Sequence, residues 1–365
     1  MINLQFFPSR RIALYMARLF VARSLAVLVA LVGILMMLDL LGNSGEILAH
    51  PGNGDAELWR YVGLRVPQLI ARFLPFAVLL GTLITLAGLN QHSEIISMKA
   101  AGISAHQIIA PLILAAALVA IAHFAFIERV VTRANAALAA WEAVEYGPVP
   151  TETDIRNNIR IAHGDDLWFV QRVSGRGEAV RLAGITVYDR AGGTLQRILT
   201  AESGRRAPGG WDLAGATLFD VDSGRLQRMG AVRLGRDIRP DEFILAQVDP
   251  DEQNFWRLRA TIDDLRAADR STATLESNLW HKLAGPLSTI LMPLLAATAA
   301  FGLARSGQLL VRAVIGMALG FAYFVADNFA LAMGNLGAYP PFLAAWGPFL
   351  LFLLVGEAVL IRTEE

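Results

Sequence analysis

Ser93 and Glu94 stand in a polar stretch, NQHSEIISMKAAGISAHQ (Asn90 to Gln107), lying between two long apolar runs. Ser93 suits a helix N-cap because its hydroxyl can accept an unpaired backbone N–H, and Glu94 then falls where the helix dipole favours negative charge. Gly102 reads as the stop, since it adopts positive φ without strain. Ser104 with Gln107 fits a capping box for the helix that follows. The stretch should therefore hold its own short helix, with Ile95, Met98 and Gly102 on one face and Glu94 and Lys99 open to water or a partner. Such a helix can lie on lipid headgroups or dock on a protein. Its chemistry is recognition.

A second group of charges is spaced for binding. Arg65 and Arg72 are seven residues apart with Gln68 between them, on one helical face, and Arg129 and Arg133 are four apart. These arginines can snorkel to anionic headgroups, pair with Glu57 and Glu128, or serve a ligand. No catalytic set accompanies them. A phosphate-binding loop needs Gly-Lys, but the two lysines, Lys99 and Lys282, follow Met98 and His281. HExxH and GxSxG motifs are absent, cysteine is absent, and the six histidines are scattered. No metal or other cofactor and no nucleic-acid partner is expected.

Residues with these roles need positioning elements, and the composition says which. The chain is 55% hydrophobic and 18% charged, with mean hydropathy +0.46, the profile of an integral membrane protein. A bilayer core takes about 20 apolar residues per helix. Six stretches qualify, near residues 19–41, 66–90, 107–128, 281–304, 313–334 and 340–361. Short-loop cations favour the cytoplasm. Arg10, Arg11, Arg18, Arg23, Lys99, Arg305, Arg312 and Arg362 all fall on one side, so both termini are expected there. Cleavage of the N-terminal run as a signal peptide is not expected, because no small-residue site follows it.

Between the third and fourth spans, residues 151–270 carry 18 Arg and 19 acidic side chains. DLWFVQRV, AGITVYDR, GTLQRILTAESG, WDLAGATLFDVD and LQRMGAVRLGRD read as short strands separated by SGRG, AGG, APGG and DSG turns. An antiparallel all-β domain on the far side of the membrane follows, with edges able to accept a partner strand. Arg residues on its solvent face also serve solubility. The organisation expected is residues 1–130 with three spans and a coupling helix at 93–104, a β domain with helical connectors at 131–275, and three further spans at 276–365.

SEIISMKAAGIS resembles the coupling segment of the lipopolysaccharide export permeases of the LptF/LptG (YjgP/YjgQ) family. VPQLIARFLPFAVLLGTLITLAGLNQ, GITVYDRAGGTLQ, WHKLAGPLS, FVADNF and GAYPP extend the likeness over nearly the whole chain, closer to the LptG branch. The resemblance implies a membrane α-helical fold, six helices as 3+3, with an inserted periplasmic β-jellyroll-like domain. It implies a non-catalytic inner-membrane subunit of an ABC transporter for lipopolysaccharide or a related glycolipid. Two copies of an LptB-type ATPase would bind the ATP and Mg, LptF would pair with this chain, and LptC and LptA would form the onward bridge. Glu94 would meet a basic residue of the ATPase. Family members of the LptG branch carry lysines toward the glycolipid phosphates at the end of span 1. GILMMLDLLGNSG instead has Met36, Gly42 and Asn43 there, which leaves Arg65, Gln68, Arg72, Arg129 and Arg133 as candidates. Two alternatives stand beside it: an LptF-type paralogue in the same complex, and an ion-driven secondary transporter, for which Asp39, Asp327 and Glu357 are the intramembrane acids to weigh.

Overall fold

The computed structural model describes residues 9–148, 156–175, 179–191, 194–221, 223–240, 243, 249–267, 270–301 and 309–362. They form two compact units, Met1–Ala139 with Pro250–Glu365, and Ala140–Asp249. Helices α1 (Arg10–Ala49), α2 (Asp55–Gln91), α3 (Glu94–Ala100) and α4 (Ala105–Phe126) come first, and a π-helical turn (Ile127–Val131) leads into α5 (Thr132–Glu142). After the insert come α6 (Phe255–Ala267), α7 (Ala273–Phe301), α8 (Leu309–Asn335) and α9 (Pro341–Arg362). Among the described residues six helices are long and apolar enough to cross a membrane, at the positions the hydropathy expected.

Burial differs among the six because their apolar residues are distributed differently. α7 is the most enclosed. Its Leu291, Met292, Leu294, Leu295, Ala296, Ala297 and Ala299 are all buried, and they pack with Met16 and Phe20 of α1, Leu79 and Leu86 of α2, Ile108 and Leu112 of α4 and Leu360 of α9. α1 buries the stripe Met16, Phe20, Ser24, Leu28, Val32, Met36, and Ile47 near its end. Its other face exposes Leu25, Val29, Ile34, Met37 and Leu41, as suits a helix bordered by hydrocarbon. Small residues let helices approach closely where no water drives them together. At Gly81 of α2 an added Cβ would lie 2.6 Å from Ser24 Cα.

The second unit holds one antiparallel sheet in which each strand pairs with its sequence neighbours: β1 (Arg156–His163), β2 (Asp166–Ser174), β3 (Arg181–Ala191), β4 (Thr194–Ala207), β5 (Gly210–Asp220) and β6 (Arg225–Leu234). Trp168, Val170, Leu182, Val187, Leu199, Trp211 and Leu213 enter one core, by period-two alternation within β2 and β5 and with a break in that alternation at Gly184 of β3, where φ is +63°. Phe243 meets Trp168 and Trp211 edge to face. The β4–β5 turn falls on APGG, with Gly209 at φ +87°. β1 was not among the strands expected from sequence.

Candidate functional site

The polar stretch after α2 folds as α3, separately from α2 and α4. Ile95 is buried and Met98 half-buried against the helical core, while Ile96, Ser97 and Lys99 are exposed. Gly102 takes φ +82°. Its N–H bonds to Lys99 O at 3.0 Å, and Ile103 N–H bonds to Met98 O at 3.1 Å. This pair closes the helix through a left-handed glycine, as expected. The Ser104–Gln107 capping box also forms, with Gln107 Oε1 accepting from Ser104 N at 3.0 Å and Ser104 Oγ accepting from Gln107 N at 3.2 Å.

Ser93 corrects the sequence reading. It occupies the N-cap position but has left-handed dihedrals, φ 59°, and its side chain makes no capping bond. Only His92 and Ser93 separate α2 from α3, so the chain must reverse abruptly, and Ser93 supplies the turn while its carbonyl accepts from Ser97 N and Ser97 Oγ. Glu94 lies in the first turn as expected, half-buried, and its Oε1 accepts from Tyr15 of α1 at 3.3 Å. α3 is thereby tied to α1 through a side chain the sequence did not single out.

The arginine candidates separate into three kinds. Arg65 is held by Asp39 of α1: its Nη2 donates to Asp39 Oδ1 at 2.9 Å and its Nε reaches both carboxylate oxygens at 3.2 Å. Tyr61 Oη donates to the same carboxylate at 2.6 Å, and Arg65 Nη1 also donates to Gln68 Oε1. Gln68 and Arg72 line a cavity of about 370 Å³ between α2, the α4 end, α7 and α8. Arg129 and Arg133 are exposed and do not border it. Of the acids proposed as their partners, Glu57 accepts from Gly54 N at 2.8 Å and Glu128 from Phe255 N at 2.7 Å.

Cavity walls also include His281 and Asp327, bonded across α7 and α8 at 3.0 Å, with buried Lys282 and His123, and a floor of Phe76, Met292 and Phe324. Asp327 thus has a partner on a neighbouring helix, as does Glu357, which lies 3.5 Å from His106 of α4. Long-range pairs such as these leave no mark on local spacing. Among the described residues no group of His, Cys, Asp and Glu could hold a metal ion.

Six potential spans, a β-sheet inserted at their midpoint and a discrete helix between the second and third spans define a multi-pass membrane protein with an inserted β domain. A family model described as "Lipopolysaccharide export system permease LptF/LptG" matches residues 14–362, and the chain belongs to that family. It is similar to the lipopolysaccharide export system permease protein LptG of Escherichia coli strain K12, 27% identical over 93% of this chain and 94% of that one. The protein of the same name from Haemophilus influenzae is 24% identical over 96% of this chain and 98% of its own.

Proposed function

We propose that this chain is an LptG-type permease subunit of the inner membrane, which extracts lipopolysaccharide or a related glycolipid and passes it to a periplasmic bridge. Both termini are then cytoplasmic and the β-sheet unit periplasmic. ATP and Mg are bound by two copies of an LptB-type ATPase, with LptF as the second permease and LptC and LptA as onward carriers. The observation that carries the reading is α3, a helix separate from α2 and α4 that turns in at Ser93 and closes at Gly102, anchors Ile95 and Met98 inward, and exposes Ile96, Ser97 and Lys99. Tyr15 and the Gly102 closure make α3 a rigid lever, so that a push on its outer face moves α1 and α4. The cargo's phosphates meet Arg72 and Gln68 at the cavity, with Arg129 and Arg133 further out, and Arg65 acts by fixing α1 against α2.

Glu94→Lys tests the coupling. It replaces attraction to a basic groove with repulsion, and a broken interfacial charge pair costs about 2–5 kcal/mol. The ATPase should no longer co-purify, while Tyr15→Phe, which removes only the internal hydrogen bond, should retain it. If the Glu94→Lys chain still binds the ATPase and exports glycolipid, α3 is not the docking element. The His281–Asp327 pair favours a second reading, an ion-driven transporter. Export driven by an ion gradient with no ATPase present would select it.

A further inference from the structure

One face of the β-sheet carries a row of charges in which two arginines stand directly opposite each other. Arg181 of β3 is the direct cross-strand partner of Arg205 of β4, Arg205 of Asp212 of β5, and Asp212 of Arg233 of β6. The adjacent row, Leu182, Gly204, Leu213 and Val232, faces the core, which sends the charged row to the opposite face. All four charged residues line a groove of about 1030 Å³.

Two of the arginines lining this groove are already committed. Arg233 donates to Asp212 Oδ1 at 2.5 Å and to Pro208 O at 3.2 Å, and Arg206 donates to Ile238 O at 2.9 Å with its guanidinium over Trp211. Arg181 and Arg205 make no hydrogen bond or ion pair with any described residue, although Arg205 feels the charge of Asp212. Like charges directly opposite on a sheet are destabilising. A face serving only solubility is better built with the signs alternating, as Asp212 and Arg233 are. With one carboxylate against three arginines, the row keeps two positive charges in excess, concentrated at Arg181 and Arg205.

We infer that Arg181 and Arg205 form a binding site for a phosphoryl group carried on a sugar. Two neighbouring guanidinium forks supply parallel donors and two charges, which match a phosphate monoester close to two negative charges at neutral pH, whereas a carboxylate balances only one. The groove has the volume of a small-molecule site and admits the attached sugar ring. The phosphoryl group comes either from the cargo glycolipid, in which case the site rests on the export reading above, or from a soluble sugar phosphate.

The purified full-length chain, in detergent, is titrated by calorimetry with glucosamine 1-phosphate, with glucuronate, and with mixed micelles carrying a phosphorylated glucosamine lipid. Arg181→Gln/Arg205→Gln should weaken phosphate binding at least about 10-fold, the loss of one charge-assisted fork or more. Arg172→Gln/Arg228→Gln, which removes exposed arginines outside the groove, should bind as the parent does. The first variant should melt no lower than the parent, because it relieves a like-charge contact, and Arg181→Gln alone serves if it does not fold. Binding of both phosphate forms supports a site for the group itself, and binding of the micelles alone supports the cargo as its source. Equal binding by the two double variants, or glucuronate bound as tightly as the phosphate, overturns the proposal. The assay contains no ATPase, so loss of this site and failure of the export reading are observed separately.

Discussion

Asp39 is an acid within the apolar length of α1, and it persists there because three groups on α2 satisfy it or its partner. Arg65 and Tyr61 donate to the carboxylate and Gln68 accepts from the far side of the guanidinium. Removing one member leaves the other charge unpaired in a partly buried place. Arg65→Ala should cost about 2 kcal/mol in detergent unfolding, the range for hydrogen bonds to charged groups. Adding Asp39→Asn should restore part of that loss, and strictly additive losses would mean the pair contributes nothing jointly. Asp212 behaves differently, being at the surface of the sheet unit. Its carboxyl is held below the ordinary 3.8, chiefly by the Arg233 hydrogen bond, with burial opposing and the charges of Arg233 and Arg205 adding. A carboxyl depressed on folding contributes stability that is present above its unfolded value and lost as pH falls through the folded one. Tryptophan-fluorescence melts should therefore fall below about pH 4, and Asp212→Asn should flatten that acid limb while lowering the neutral melting temperature. An unchanged acid limb would remove Asp212 from the account.

At the scale of elements, local signals were legible and long-range ones were not. Gly102, the Ser104–Gln107 box and the APGG turn each act within a few residues of themselves, so the sequence contains the whole cause. The six spans were legible because hydrocarbon demands length and apolarity alone. Ser93 misled because its type suits a cap, whereas the two-residue link from α2 to α3 requires a left-handed turn. β1 was missed since its two asparagines dilute the alternation of Ile159 and Ile161, which the β2 partner restores. Asp39–Arg65 and His281–Asp327 join residues far apart in sequence, and only helix packing creates them. That packing rests on small residues. Gly81→Val should push α2 from α1 and cost about 1–3 kcal/mol by overpacking, against little change for Gly33→Val, where nothing lies within 4 Å of an added Cβ. Equal thermal shifts in detergent for the two would show that α1 and α2 do not need this approach.

For the whole molecule, the division of labour sets the central claim. The chain belongs to a permease family and its two lysines lie outside any phosphate-binding loop, and under the proposed reading a partner ATPase supplies the energy and α3 receives it. α1 exposes an apolar face along most of its length, which suits a lipid cargo or a second permease against it. The cavity lined by Arg72, Gln68, His281 and Asp327 gives the same unit a polar recess, which the proposed reading assigns to the cargo headgroup. The most direct measurement reconstitutes the chain with LptF and the LptB-type ATPase in vesicles containing lipopolysaccharide, and follows transfer of the glycolipid to soluble LptA. The account predicts transfer that requires ATP and ceases with Glu94→Lys. ATP-independent transfer, or ATP-driven transfer unaffected by Glu94→Lys, would contradict it.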